Sequence, residues 1–197
     1  MAVITISREV GSGGDEIARR VGEVLGYRLF SRTLMAEVAR EQALSEAEIV
    51  DFSEDSYRAR GFIDALFRRS APVATTIRAL AHRGQVVIVG RGGQAILRDE
   101  PRVLHVRVIA RPEDRLRRTV EAEGLSRNEA SKLITERDRA IAQYVRRFHG
   151  VEWADPLLYH LTLNTSLLSP ATAVELIAAA ARQLDAQASA APSGPGA

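Results

Sequence analysis

Short apolar runs recur along the chain and alternate with segments of helical periodicity. In the first helical segment, Ile17, Val21, Val24 and Leu25 return at the spacing that puts them on one face of a helix. Strands that alternate with helices indicate parallel βαβ units. The pattern therefore predicts an α/β fold, with one five-stranded parallel sheet and helices on both of its faces. The predicted strands are Val3–Ile6, Tyr27–Phe30, Val86–Val89, Val103–Ile109 and Leu161–Leu163.

Capping residues mark where several helices begin and end. Gly26 ends the first helix, since glycine adopts the left-handed conformation that stops a helix. Pro112 opens a later helix, as proline favours the first helical position. Ser126 and Glu129 form a capping box for a helix that runs to Gly150.

We expect residues 1–186 to form a single domain. The last helix begins at Ser169-Pro170 and gives way to an Ala, Gly, Pro and Ser tail over residues 187–197. That composition cannot bury a core, so the tail is predicted to be disordered. The sequence contains neither an internal repeat nor a second domain.

Composition and charge exclude several classes of protein. There is no cysteine, so disulfides, thiolate metal sites and cysteine nucleophiles are excluded. The net charge of +2 is too small to indicate nucleic-acid binding. No apolar run approaches the roughly 18 to 20 residues of a membrane span, and Met1–Ile6 leads into a strand without a basic region before it. We therefore expect a cytoplasmic protein with no nucleic-acid or membrane partner. The oligomeric state is left open.

The four histidines lack the spacing of a zinc site. One of them, His105, falls inside the fourth predicted strand, so we expect it to be a core or edge residue.

A glycine-rich loop comes directly after the first strand and before the first helix. Three glycines in four residues let the backbone turn tightly enough to direct its N–H groups at an anion. The helix N-terminus that follows adds a favourable dipole. This strand–loop–helix unit predicts a phosphate-binding site formed by Gly11, Ser12, Gly13, Gly14, Asp15 and Glu16.

The loop departs from the phosphate-loop pattern G-x-x-x-x-G-K-[ST]. In that register Arg8 takes the place of the first glycine and Gly13 matches the second. Gly14 stands where the lysine belongs, and Asp15 stands where the hydroxyl residue belongs. Either activity is lost, or other residues have taken over both roles.

Five segments together carry a resemblance to the cytidylate kinase-like family, the divergent relatives of bacterial cytidylate kinase. The resemblance implies a P-loop kinase fold with a helical lid. It also implies transfer of the ATP γ-phosphoryl group to a nucleoside monophosphate, CMP or dCMP, with Mg²⁺ as the metal. The segments are ITISREVGSGGDEIA at 4–18, VVIVGRGGQAIL at 86–97, RPEDRLRR at 111–118, ERD at 136–138 and VEWADPLLYHLTLNTSLLS at 151–169.

Several arginines are candidates for contacts with phosphate. Arg91 follows a buried strand at its carboxyl end, where open α/β sheets bind ligands, and could hold the acceptor phosphate through two hydrogen bonds. The resemblance places Arg115 and Arg118 on the lid, where they would neutralise charge on the transferring group. Arg8 leaves the first strand just before the glycines and is the expected substitute for the missing lysine; the alternative is that Arg8 pairs with its neighbour Glu9.

Asp138 is the one acid on an otherwise apolar helical stripe, and it matches an aspartate of the family. A buried acid needs a partner, so we expect a functional or catalytic role for Asp138. Its neighbour Arg137 and the earlier Arg32 are expected to bind the acceptor.

Three departures from the family stand out, and the last two weaken the expectation of an intact monophosphate site. Gly92 stands where cytidylate kinases have an aspartate, so any magnesium would be held by Asp15, by Glu16 or through water. Ile141 replaces an arginine and is expected to pack into the core, and Ser31-Arg32 replaces Asp-Lys. Two alternatives therefore stay open: a non-catalytic nucleotide-binding or regulatory protein, and a kinase for another small acceptor.

Overall fold

The computed structural model describes residues 2–30 and 70–190. Five strands form one sheet in the order β2-β3-β1-β4-β5, and all paired neighbours run parallel. Each strand lies where the apolar runs predicted it, so the predicted five-stranded parallel sheet is confirmed. The strands are β1 (Val3–Arg8), β2 (Arg28–Leu29), β3 (Val86–Val89), β4 (Val103–Ile109) and β5 (Leu161–Asn164).

Six α-helices are described between and after the strands. The capping box of Ser126 and Glu129 is present, and Gly26 and Gly150 end their helices in the left-handed conformation, as predicted. The last helix continues to Ala190, four residues into the predicted tail, and residues 191–197 lie outside the described part of the chain. The helices are α1 (Gly14–Leu25), α2 (Ser70–Arg83), α3 (Gly93–Ile96), α4 (Pro112–Glu123), α5 (Arg127–His149) and α6 (Pro170–Ala190).

Helices cover both faces of the sheet, because successive side chains of each strand point to opposite sides. Ile4 and Ile6 of β1 belong to a core cluster with residues of α1 and α6, such as Ile17 and Ile177. Val3, on the other side of β1, belongs to a second cluster that includes residues of α2 and α3. Among the described helices, none is long and apolar enough to cross a membrane.

The second face of the sheet becomes polar toward the carboxyl ends of its strands. Along β1, the residues after Val3 on this face are Thr5 and Ser7, both buried. Arg107 of β4 is paired in register with Ser7 and is also buried. Trp153 covers this end and donates a hydrogen bond from Nε1 to Ser7 Oγ at 2.7 Å. A polar pocket floor is thus built into the sheet beside the glycine-rich loop.

His105 lies on this same face and is held in its neutral form. Its Nδ1 lies 2.7 Å from Thr5 Oγ1, its Nε2 is buried with no hydrogen-bond partner, and its ring stacks on His160. Burial, with a smaller contribution from His160, lowers the pKa of His105 from 6.5 to about 4. The expected core position of His105 is confirmed.

We predict that His105 makes the fold sensitive to mild acid. The unfolded chain binds a proton at this residue below pH 6.5, whereas the folded chain keeps the ring neutral down to about pH 4. Stability contributed by the neutral ring is therefore complete above pH 6.5 and is lost as the pH falls toward 4. The loss of unfolding free energy between pH 7 and pH 5 should be about 2 kcal/mol.

Urea unfolding at the two pH values would measure this loss in the wild type and in His105→Gln, which keeps polar side-chain atoms but cannot titrate. The exposed His82→Gln variant is the control and should behave as the wild type. An equal loss in wild type and His105→Gln would contradict the assignment.

Candidate functional site

The glycine-rich loop between β1 and α1 has the geometry of an anion site. Gly11 and Gly13 have φ values of 76° and 81°, and Ser12 N–H donates to Glu9 O at 3.1 Å to close the turn. Gly13 is the N-cap of α1, and no side chain caps this helix start. A side chain at Gly13 would meet no atom within 4 Å. The first N–H groups of α1 and the helix dipole therefore face open space, as phosphate binding requires.

Arg8 occupies the space that a side chain at position 14 would need. A Cβ added to Gly14 would lie 2.5 Å from Arg8 Cβ and 2.9 Å from Arg8 Cγ. Arg8 then reaches across the loop, and its Nε donates to Asp15 Oδ1 at 2.8 Å. The departures from the phosphate-loop pattern are therefore linked, since Arg8 and Gly14 share one volume. The alternative partner considered for Arg8, Glu9, is engaged elsewhere.

Glu9 points behind the loop, where it meets two arginines. Its Oε1 accepts from Arg107 Nη2 at 3.4 Å, and its Oε2 accepts from Arg115 Nη1 at 3.3 Å. The backbone N–H of Ala110 also donates to Oε2, at 3.4 Å. Arg107 is itself fixed by Trp153, which accepts a 2.6 Å hydrogen bond through its carbonyl and stacks its ring 4.4 Å from the guanidinium. Glu9 thus ties the end of β1 to β4 and α4.

Arg115 and Asp138 both bond to the loop at Val10. Arg115 Nε donates to Val10 O at 2.7 Å, and Val10 N–H donates to Asp138 Oδ1 at 3.1 Å. Arg115 Nη2 closes the set by pairing with Asp138 Oδ2. All three guanidinium nitrogens of Arg115 therefore bond to the protein behind the loop. This position differs from the lid over the substrate that the sequence analysis expected for Arg115.

Arg118 lies on the open side and anchors the next loop residue. Its Nη1 donates to Ser12 O at 3.2 Å and to Thr165 Oγ1 at 2.8 Å, and its Nη2 donates to Thr165 O at 2.9 Å. Thr165 Oγ1 also donates to Ser12 O at 2.7 Å. The segment after β5 thereby supports the loop.

A cleft of about 570 Å³ lies in front of the loop, between it and helices α4 and α5. Its volume lies within the range of small-molecule sites. Glu9 borders the cleft but its carboxylate is paired behind the loop, so four carboxylates and three arginines remain and the formal charge of the lining is slightly negative. The charged lining residues are Arg8, Arg118, Arg137, Glu9, Asp15, Glu16, Glu121 and Glu123.

A much narrower crevice of about 20 Å³ lies beside the cleft, between the carboxyl ends of β1 and β3. Arg91 lines it, and its φ of 58° is unusual for a residue other than glycine. Strain of this kind, of order 1 kcal/mol or more, is typical of functional positions. Ile141 lines both the cleft and the crevice and is only partly buried. It packs against the buried cluster of Tyr144, Val145 and Trp153, so its expected packing into the core is confirmed in part, and the rest of its side chain borders the two cavities.

The structure brings most of the predicted site residues to one edge of the sheet. Residues 11–16 form the loop and helix start, and Arg8, Arg118 and Arg137 line the cleft. Arg91 lies on the neighbouring crevice, while Arg115 and Asp138 lie behind the loop. Arg32 lies outside the described residues.

Sequence reasoning missed three supporting residues. Glu9 was considered only as a partner of Arg8, and Arg107 and Thr165 received no role. A charged residue inside an otherwise apolar parallel strand is the signal that could have identified Arg107, because a buried charge requires a partner. Thr165 carries no comparable signal.

The residues at the loop provide a limited set of metal ligands. Across the described ranges, no group of three or more acidic or histidine side chains is placed to hold a metal ion. Asp15 and Glu16 are exposed carboxylates at the start of α1. Magnesium in kinases usually has one or two carboxylates, with water and substrate phosphates completing its octahedron. The pair fits a magnesium ion that arrives with a nucleotide, but it does not form a complete metal site alone.

A parallel sheet in this strand order, a glycine-rich loop leading into α1 and an arginine-lined cleft define a P-loop-type phosphotransferase. Solved structures agree on the fold. An uncharacterised protein from Eubacterium ventriosum has a TM-score of 0.68 at 23% identity, and the match covers 92% of this chain and 99% of that one. A gluconokinase from Sinorhizobium meliloti has a TM-score of 0.53 at 12% identity, covering 93% of both chains.

Residues 3–167 match the cytidylate kinase-like family, and the chain belongs to that family. A cytidylate kinase from Aeropyrum pernix is 33% identical over 179 residues, which cover 90% of this chain and 98% of that protein. A cytidylate kinase from Pyrobaculum arsenaticum is 30% identical, covering 89% of this chain and 90% of that protein. The chain is therefore an enzyme of the nucleotide kinase type.

We predict that Gly14 can be replaced without a large loss of stability only if Arg8 is replaced as well. Gly14→Lys alone should destabilise the fold by about 1–3 kcal/mol, because its Cβ would overlap Arg8 Cβ. The double variant Arg8→Gly/Gly14→Lys, which restores the usual pattern at both positions, should regain most of that loss. Urea unfolding of the wild type, both single variants and the double variant would give the coupling free energy. Simple additivity of the two single effects would contradict the shared volume.

Proposed function

We propose that this enzyme transfers the γ-phosphoryl group of ATP to a pyrimidine nucleoside monophosphate, CMP or dCMP. The observation that carries this proposal is the uncapped start of α1, which opens on an arginine-lined cleft beside the strained Arg91. Membership of the cytidylate kinase-like family and the names of the two archaeal relatives support the choice of acceptor.

Phosphoryl transfer requires mostly positioning and charge stabilisation from the protein. In the proposed arrangement the N–H groups of Gly13 and Gly14 bind phosphate oxygens of the donor at the helix start. Arg8, whose Cβ and Cγ lie where a Cβ at position 14 would be, supplies the adjacent positive charge. Arg118 lines the cleft with its guanidinium already oriented by Ser12 O and Thr165. Its place at the cleft suits it to stabilise charge on the transferring group.

We assign binding of the acceptor to the crevice between the carboxyl ends of β1 and β3. Arg91 sits at the carboxyl end of β3, next to the phosphate loop at the end of β1. A guanidinium there can bind an acceptor phosphate through two parallel hydrogen bonds. Arg137, on α5, lines the cleft and is the second proposed acceptor contact. The predicted role of Arg32 in binding the acceptor stays a prediction, because Arg32 lies outside the described residues.

Magnesium bound with the nucleotide would neutralise phosphate charge next to Asp15 and Glu16. Without a cation, these carboxylates would repel a triphosphate, and the helix dipole offsets only about 0.3–1 kcal/mol per charge. The negative excess of the cleft lining strengthens this requirement. Arg8 already pairs with Oδ1 of Asp15, so it offsets part of this repulsion.

We predict that ATP binding depends strongly on magnesium and that Arg8→Ala abolishes transfer while the fold persists. Loss of a preorganised cation at the phosphates should lower kcat by about a thousandfold. Arg127→Ala is the matched control, because Arg127 pairs with the exposed Glu113 and neither residue lines the cleft. Isothermal titration with and without Mg²⁺, together with ADP release, would measure both effects. ATP binding that ignores both the metal and Arg8 would disprove this assignment.

We predict that Arg91 governs use of the acceptor. Arg91→Ala should raise the KM for CMP about a hundredfold while leaving the Kd for ATP unchanged, since two charge-assisted hydrogen bonds are lost. Arg91→Lys should recover only part of this, because an ammonium cannot reproduce a bidentate contact. Arg91→Gly relieves the positive φ, so a loss there cannot come from backbone strain. The exposed Arg98→Ala variant is the control.

Steady-state kinetics with a panel of nucleoside monophosphates and small hydroxyl acceptors would identify the substrate. Equal weakening of donor and acceptor binding in Arg91→Ala would indicate a structural role instead. Turnover only with an acceptor that is not a nucleotide would overturn the CMP assignment.

A further inference from the structure

The peptide groups of the phosphate loop are held by side chains from helices that come more than a hundred residues later. Both backbone polar atoms of Val10 bond to such side chains: its O to Arg115 and its N–H to Asp138. The carbonyl oxygen of Ser12 accepts hydrogen bonds from Arg118 and from Thr165, which follows β5.

The backbone packing shows how closely α4 supports this part of the loop. A Cβ added at Gly11 would lie 2.5 Å from the carbonyl oxygen of Arg115 and 2.7 Å from Thr119 Oγ1. Only a residue without a side chain fits between the loop and α4. Because Gly11 also has a positive φ, both its conformation and its surroundings are fixed.

The side chains behind Val10 form a compact set of matched charges. Arg115 pairs with Glu9 and with Asp138, and Glu9 pairs in turn with Arg107. Side-chain exposure is 11% for Arg115, 19% for Glu9 and 20% for Asp138. Two arginines and two carboxylates thus balance each other in a largely desolvated place, where the loss of one partner has a large effect.

We propose that Asp138 is a positioning residue for the phosphate loop: with Arg115, it holds the Val10 peptide so that the loop is already in its phosphate-binding conformation before nucleotide arrives. Asp138 does not line the cleft, whereas its hydrogen-bond partner Val10 does. The carboxylate therefore acts on the bound phosphates through the backbone. Removing it leaves the part-buried Val10 N–H without its protein acceptor.

This role differs measurably from a catalytic role for the same carboxylate. A catalytic acid or base requires the charge itself, so Asp138→Asn and Asp138→Ala would lower kcat equally and leave the Kd for ATP unchanged. A positioning residue requires an acceptor at Val10 N–H, which the side-chain oxygen of asparagine can still provide. The positioning role therefore predicts a rise in the Kd for MgATP in Asp138→Ala and partial rescue in Asp138→Asn.

The loop conformation can be measured without nucleotide, by amide hydrogen exchange of the whole chain. In Asp138→Ala, exchange at residues 10–12 should rise about tenfold, the size expected for one hydrogen bond to a charged group, while β1 and α1 stay protected. Asp138→Asn should show a smaller rise, and it tests the proposal even if the alanine variant folds poorly. The control is Glu113→Ala on α4, which removes a carboxylate whose ion pair with Arg127 is exposed.

Two measurements separate this inference from the proposed function. The hydrogen-exchange measurement is independent of the proposed function, whereas the measurement of the Kd for MgATP rests on it. Unchanged exchange at residues 10–12 in Asp138→Ala, or an equal rise throughout the chain, would overturn the positioning role even if MgATP binds normally. If exchange responds as expected but MgATP does not bind the wild type, the positioning role stands and the proposed donor is wrong. The Kd for MgATP, from isothermal titration, should rise about tenfold in Asp138→Ala and less in Asp138→Asn.

Discussion

Two largely buried carboxylates behind the phosphate loop, Glu9 and Asp138, require cationic partners, and the site is arranged around that requirement. An unpaired carboxylate there would be strongly destabilising, whereas each of these meets an arginine and a backbone N–H. The arginine that serves both carboxylates comes from α4, and Asp138 comes from α5. The charges therefore join the strand that precedes the loop to the two helices that form the walls of the cleft.

The same loop shows how one change in a phosphate-binding pattern requires another. A side chain at position 14 and the arginine at position 8 cannot coexist, because their first carbons would lie 2.5 Å apart. Glycine at position 14 therefore follows from arginine at position 8. A positive charge remains near the loop, but it belongs to Arg8 at the end of β1. Arg8 Nε donates a hydrogen bond to Asp15 Oδ1 at 2.8 Å. Asp15, in the place of a hydroxyl residue, is in turn an acid that this arginine can neutralise.

Local patterns in the sequence were sufficient to predict the fold but not the contacts behind the loop. Apolar periodicity found all five strands, and the capping box at Ser126 defined the start of α5, because these signals depend on neighbouring residues. Arg115 and Arg118 are three residues apart, which puts them on one face of α4. This spacing could not reveal that Arg115 turns toward Glu9 and Asp138 while Arg118 faces the cleft, since those partners lie far apart in sequence. The cavities beside Ile141 could not be predicted for a related reason. An apolar stripe shows which residues share a face, but not where the facing core ends and a cavity begins.

The two ends of the site differ in how far they are formed in the part of the chain that the structure describes. The donor side has a fixed loop, an open helix start and a cleft of about 570 Å³. The crevice beside Arg91 measures about 20 Å³, too small for any nucleotide, and Ile141 stands between the two. A pocket closed by side chains can bind a ligand only if part of the binding free energy is used to open it. On the donor side, less binding free energy is needed to form the site, because the charge network already fixes the loop. An acceptor bound at the crevice, as we propose, would therefore have to supply more of its own binding free energy, and Arg91, with two possible hydrogen bonds to one phosphate, is the described residue on the crevice best suited to provide it.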